Sequence, residues 1–151
     1  MIKEMQVILS QLEFTVPYLI PPGGNHYKRP CKYIGRDGGL HLGFKLTKQA
    51  KAYYDAVAIC VRGETVAPAT DAERRRAQYG VTIDVYLPPK ARGDFDNFWK
   101  CGLDALVHAG VIHTDAAVDG AASRCIVHKD QRDNPRTAYK VIRMEVKRGQ
   151  D

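Results

Sequence analysis

Asp94 and Asp96 stand two residues apart, Asn97 follows at once, and Lys100 comes four residues after Asp96. Acids at i and i+2 lie on the same side of an extended chain, roughly 6–7 Å apart along it. Two such carboxylates can converge on a hard cation such as Mg²⁺, which takes oxygen ligands and usually keeps several waters. Asp96 is also placed to open a helix. Lys100 would then lie one turn along the same face, within reach of Asp96 and of a phosphate held by the ion. The plainer alternative is an N-cap aspartate with the other acid solvated in the loop. A basic run of Pro88, Pro89, Lys90, Arg92 and Gly93 leads into the motif.

The elements around this stretch must hold it. Val81, Ile83, Val85 and Leu87 alternate on one face of a strand that ends just before the acids. Asp84 falls on the other face and reads as solvated. From Asp96 a helix runs to about Ala109. Phe95, Phe98, Trp99, Leu103, Leu106 and Val107 form its apolar side, and Gly110 stops it. Gly102 costs this helix about 1 kcal/mol against Ala unless close packing needs it. Asp104 shares the stripe of Asp96 and Lys100 but lies about 12 Å along the axis from Asp96. That is too far for one ion, so Asp104 reads as a structural partner of Lys100 or of nearby backbone.

Elsewhere, Met1 to Leu12 reads as an extension or first strand. Phe14, Val16 and Tyr18 alternate in a strand from Glu13 to Leu19, which ends at the turn Pro21-Pro22-Gly23-Gly24. Asn25, His26, Tyr27, Lys28 and Arg29 combine hydrogen bonding, a ring and two cations, which suits a phosphate backbone and an exposed base. A polar loop explains them equally well. Lys32 to Leu42 carries three glycines and reads as a hairpin or mobile loop. Thr47 caps a helix in which Ala50, Tyr53, Tyr54, Val57, Ala58 and Val61 recur at helical spacing, and which ends near Gly63. Arg74, Arg75 and Arg76 are either a phosphate clamp or a solvated charge run in an irregular stretch. Ala122 to Lys129 and Thr137 to Val146 read as the final strands.

The chain has 151 residues and a formal net charge of +6, with a pI near 9.2. The length suits one domain with a real core. The charge favours a polyanionic partner. Apolar runs are too short for a membrane span, and the first residues lack a secretory core. Cys31, Cys60, Cys101 and Cys125 are far apart, with no zinc spacing, and read as reduced thiols of a cytoplasmic protein. The five histidines show no ligand spacing.

The string from Asp94 to Leu106 resembles the RusA family of Holliday junction resolvases, whose signature is close to D-x-D-N-x-x-K-x-x-x-D-A-L. Asp94, Asp96, Asn97, Lys100, Asp104, Ala105 and Leu106 fill every fixed position. Pro21, Pro22 and Asn25 match a second family segment. The family's later acidic segment, shaped like D-D-x-Q, corresponds to Thr114-Asp115-Ala116-Ala117. Asp115 keeps the second acid, while Thr114 and Ala117 depart from the pattern. A helix of about 14 residues spans roughly 21 Å, and five extended residues recover about 17 Å. Asp115 can therefore return to the acidic pair, with Asp119 as the fallback.

The resemblance implies an α+β fold, a mixed or antiparallel sheet with two main helices in the rough order β-α-β-α-β-β. It implies one domain over residues 1–151 and a homodimer. Because a short domain leaves some strand edges unpaired, Val111, Ile112 and the last strand, Tyr139 to Val146, are the candidate interface. The implied function is a Mg²⁺-dependent endodeoxyribonuclease, Mn²⁺ substituting, that resolves four-way junctions by paired nicks with 5′-phosphate and 3′-hydroxyl ends. Asp94, Asp96 and Asp115 would hold the metal and Lys100 would neutralise the phosphate. Asn25 to Arg29, Arg74 to Arg76, Lys90 and Arg92 are the candidate DNA contacts. The implied location is the cytoplasm, at the nucleoid of a bacterial or phage-infected cell. Two alternatives stay open: a nuclease for flaps or other branched DNA, and a non-catalytic DNA-binding module. The second has no need of three acids in a basic chain. A D-x-D-x-T phosphotransferase fits poorly, because Arg92-Gly93 precedes Asp94 and Phe98 stands where that class has Thr or Val.

Overall fold

The computed structural model describes residues 4–21, 28–89, 95–129 and 134–148. Strand β1 (Glu4–Val16) is followed by the hairpin β2 (Lys28–Ile34) and β3 (Leu40–Leu46). Helix α1 (Lys48–Val61), the one-turn α2 (Asp71–Arg74) and strand β4 (Gln78–Tyr86) come next. Helix α3 (Phe95–His108) leads through two 3-10 turns, Asp115–Ala117 and Gly120–Ala122, to β5 (Arg124–His128) and β6 (Arg136–Arg148).

The fold is α+β. A mixed four-stranded sheet runs β1-β6-β4-β5, and the hairpin forms a sheet of its own. β6 is antiparallel to β1 and β4, while β4 and β5 are parallel. Parallel neighbours need a crossover rather than a tight turn, and α3 is that crossover. β1, α1, β4, α3, β5 and β6 follow the expected order, with the hairpin and α2 added. The first strand is one long element from Glu4 rather than two segments. It ends at Val16, not Leu19, because Pro17 cannot donate to a ladder.

The core lies between the sheet and the two long helices. Val81, Ile83 and Val85 of β4 face it with Tyr139 and Val141 of β6, as the period-2 pattern requires. From α1, Tyr53, Tyr54 and Val57 are buried, and from α3, Phe98, Leu103 and Leu106. The hydroxyls of Tyr53 and Tyr139 bond to each other inside this core. Thr47 caps α1 as expected, its Oγ1 accepting from Ala50 N at 3.1 Å. The left-handed Arg62 and Gly63 end the helix.

Two expected interface elements are instead interior. Val111 and Ile112 are fully buried in the core. The last strand lies between β1 and β4, so both its edges are hydrogen-bonded. Asp84 is not simply solvated either. It accepts from His128 at 2.8 Å, and the His128 ring stacks on Tyr86.

Gly102 sets how closely α3 approaches the sheet. A Cβ there would stand 2.7 Å from Ile83 Cδ1 and 3.3 Å from Ile20 Cδ1. Overpacking a filled core costs about 1–3 kcal/mol. Gly102→Val is therefore expected to lower the melting temperature by roughly 2–12 °C. Thermal unfolding followed by circular dichroism checks this, and an unchanged melt would show that α3 has room to spare.

Candidate active site

The described part of the site is built around Lys100, on the second turn of α3. Its Nζ donates to Asp104 Oδ1 at 3.0 Å and to Asp115 Oδ2 at 2.6 Å. Asp104 lies one turn further along α3, so that contact follows from helical spacing. Asp115 is fifteen residues away and arrives through the return of the chain after Gly110. The reading of Asp104 as Lys100's partner agrees with this geometry. Its proximity to Asp115 was not visible in the sequence.

The return segment is braced. Tyr79 Oη lies 2.6 Å from His113 Nδ1. Burial raises the pKa of Tyr79, and burial with the nearby Arg74 charge lowers that of His113. Both shifts favour the neutral forms, which can share one hydrogen bond between the hydroxyl and the ring nitrogen. Thr114 caps the first 3-10 turn, its Oγ1 accepting from Ala116 N at 3.3 Å. A threonine oxygen thus does the capping that an aspartate oxygen would also do. Asp119 caps the second turn, accepting from Ala121 N at 3.0 Å, and also accepts from Gln6 Nε2 at 3.4 Å. Its backbone N–H bonds to Tyr79 O. Sequence reasoning assigns Tyr79 no role, because the alternation reads only from Val81 and Tyr79 falls in the irregular stretch before it, whereas β4 begins at Gln78.

The remaining candidates are distributed unevenly. Asp94, Asn25, His26, Tyr27, Lys90 and Arg92 lie outside the described residues. For Asp96 and Arg29 only the backbone is described; Asp96 stands in the first turn of α3, one turn before Lys100. Lys28 begins β2, and its charge is felt by the Cys101 thiol, which burial pushes up to about 12. Arg74, Arg75 and Arg76 line a groove of about 960 Å³ together with His113, Thr114 and Ala116. The arginine run therefore borders the turn that carries Asp115.

Electrostatically the site is short of positive charge. The hydrogen bond from Lys100 holds Asp115 below the usual carboxylate range. Burial, and then the Asp115 charge, push Asp104 up to about 6. Two acids share one ammonium, and the less favoured acid tends to keep its proton. Among the described residues, no three His, Cys, Asp or Glu side chains form a metal-holding group. The donors present are nonetheless carboxylate oxygens with surplus negative charge, the chemistry that suits Mg²⁺ or Mn²⁺.

A pH dependence follows. The folded pKa of Asp104, about 6, lies above the ordinary aspartate value of 3.8. The folded chain then holds more protons than the unfolded chain across that interval, so stability falls as pH rises through it. Asp104→Asn removes the slope. In metal-free buffer, the melting temperature of wild type minus that of the variant is expected to be larger at about pH 4 than at about pH 7. Melts at the two values test this, and a difference that grows with pH would contradict it.

A family model described as endodeoxyribonuclease RusA matches residues 27–142, from the hairpin into β6. The crossover junction endodeoxyribonuclease rusA of Enterobacteria phage 82 is 27% identical over 110 residues, covering 73% of this chain and 78% of that protein. The strand–helix–turn unit that carries Lys100, Asp104 and Asp115 lies wholly within the matched residues, and the chain belongs to the RusA family of endodeoxyribonucleases.

Proposed function

We propose that this enzyme is a divalent-cation-dependent nuclease that resolves four-way DNA junctions by paired nicks. The observation that carries the reading is the Lys100 ammonium seated between Asp104 and Asp115, one helical turn beyond Asp96. Such a centre joins acids for a cation to a cation for a phosphate. A bare binding module would gain nothing from acids there, because they repel phosphate.

Asp94, Asp96 and Asp115 are the residues that would hold Mg²⁺ or, in its place, Mn²⁺. A bound divalent ion would supply Lewis acidity and lower the pKa of a coordinated water below its bulk value. The protein's own part is positioning and charge. Asp115 stays ionised at neutral pH because Lys100 holds its pKa down. Lys100 Nζ can turn toward the scissile phosphate and stabilise the charge that grows there. The Tyr79–His113 bond ties the segment before Asp115 to β4 and Thr114 caps its turn, so the carboxylate needs little reorganisation.

The DNA surface in this reading comprises Asn25 to Arg29, Arg74 to Arg76, Lys90 and Arg92. Affinity then comes mainly from cations that release counterions from the duplex. The catalytic unit is one domain over the whole chain, acting as a homodimer in the cytoplasm at the nucleoid. No helix among the described residues is long and apolar enough to cross a membrane. A two-fold dimer presents two identical sites to the two equivalent phosphates of a junction.

Asp96→Asn and Asp115→Asn are each expected to lower junction cleavage at least about 100-fold, beyond the range typical of changes outside the ligand set. Binding should persist or tighten, since each change removes a negative charge facing the phosphates. Cleavage assays on junction, flap and linear duplex, beside gel shifts in metal-free buffer, measure both halves. Full cleavage by either variant would reject its assignment, and a preference for flaps would move the substrate class.

A further inference from the structure

The groove beside the Asp115 turn is more than a row of charges. Arg74, His113 and Thr114 line it together. Each is tethered to the protein by one hydrogen bond and keeps another polar group for an outside partner. Arg74 Nε donates to Pro68 O at 2.9 Å, which fixes the guanidinium. Among the described residues no carboxylate pairs with its two amino groups. His113 uses Nδ1 for Tyr79 Oη at 2.6 Å, and its Nε2 bonds to nothing among the described residues. Thr114 Oγ1 accepts from Ala116 N at 3.3 Å, so its hydroxyl hydrogen stays available. Arg75 and Arg76 are exposed and have no such side-chain tether among the described residues.

The fold brings the three donors together. α2 carries Arg74 and runs almost directly into β4, whose Tyr79 meets His113. The Arg74 charge is felt at His113, so the two side chains are neighbours across the groove. Tyr79 O also accepts from Asp119 N at 2.8 Å. One residue thus pins both ends of the segment 113–119, which contains Asp115. Asp119 and Glu145 line the groove too, and Asp119 already accepts from Ala121 N and Gln6 Nε2. Three arginines against two acids leave the lining with one net positive charge. The described lining has no Phe, Tyr or Trp on which a base could stack.

We propose that Arg74, His113 and Thr114 form a subsite for one phosphodiester of the bound DNA strand, a neighbour of the phosphate that is cut. The proposal rests on the nuclease reading above and names which cation of the arginine run makes a fixed contact. A phosphodiester carries one negative charge and two unesterified oxygens. A planar guanidinium can hold both oxygens, and two further donors complete the grip. A neutral imidazole has one donor and one acceptor nitrogen. Tyr79 is the positioning residue, because a hydroxyl donating to Nδ1 leaves the ring hydrogen on Nε2. Contacts to phosphate set the register of a strand. Thr114 directly precedes Asp115, so a phosphate held here sets that register against an acid of the proposed metal site.

The test is the affinity of the full chain for an immobile four-way junction in metal-free buffer, read by fluorescence anisotropy. Single phosphates near the branch, at matching positions of opposed strands, are replaced by uncharged methylphosphonates. With wild type, replacement at one position is expected to raise Kd about 10-fold, the scale of a charge-assisted hydrogen bond. Arg74→Ala should raise Kd by a similar factor on the unmodified junction. It should then be indifferent to the methylphosphonate at that position, since both changes delete one contact. His113→Leu should lose part of the response. His113→Asn, whose amide can accept from Tyr79 and donate to a phosphate, should recover it. Arg75→Ala should weaken binding less and keep the full response. Lys51→Ala, at an exposed position of α1, should bind as wild type does. If Arg74→Ala shifts the melt, Arg74→Gln, which keeps a donor for Pro68 O, takes its place. In cleavage, the Arg74→Ala loss should fall on KM rather than kcat. A loss in kcat alone makes Arg74 a prop of the Asp115 turn and overturns the contact. Equal methylphosphonate responses in wild type and Arg74→Ala at every position also overturn it. So does an Arg75→Ala loss as large as that of Arg74→Ala. In these cases junction cleavage by wild type leaves the nuclease reading standing. Binding with the Arg74 response but no cleavage in Mg²⁺ sinks that reading and keeps the phosphate contact. No binding to branched DNA overturns both.

Discussion

Helix α3 lies close on β4, and that approach is possible because residue 102 has no side chain. Ile83 fills the space a Cβ would need, with Ile20 beside it. The contact sets the height of α3 above the sheet and so the level at which Lys100 projects. It also fixes where the chain must turn after Gly110 and where the segment holding Asp115 returns. The parallel pairing of β4 with β5 closes the same unit from the other end. A helix displaced by one side-chain diameter would separate Lys100 from Asp115, whose contact has no local sequence to enforce it.

The electrostatics build on that placement. One ammonium between two carboxylates lowers the pKa of one acid and leaves the other raised. The asymmetry reflects hydrogen bonding and burial. Asp115 receives the shorter contact, whereas Asp104 is more enclosed and feels its neighbour's charge. Lys100 is half exposed, so its ammonium can exchange partners at little desolvation cost. A fully buried pair would pay more for desolvation and be slower to rearrange.

The basic character of the chain takes on direction in the structure. Arg74, Arg75 and Arg76 border the Asp115 turn, and the Arg74 charge is felt at His113 and Tyr79. A cluster of cations beside a cluster of acids is what a polyanion-cleaving surface requires. In the nuclease reading proposed above, phosphates would be drawn to the rim while the acids sit at the centre. The departure of Thr114 from the family's acidic pattern is absorbed locally, since its hydroxyl oxygen caps the 3-10 turn.

What the sequence determined by itself was local. The spacing of Asp96, Lys100 and Asp104 placed three charges on one stripe of a helix. Thr47 marked a helix start, Gly110 a helix end, and the alternation from Val81 to Leu87 a buried strand face. Each follows from a backbone period or a cap that a few neighbouring residues decide. The tertiary structure decided what periodicity cannot see. It joined Asp115 to Lys100 and Tyr79 to His113, and it paired Asp84, expected in solvent, with His128. It placed the last strand inside the sheet and buried Val111 and Ile112, although both read as interface. Apolar residues look alike in a sequence whether a core or a partner covers them, and only the order of strands tells the two apart.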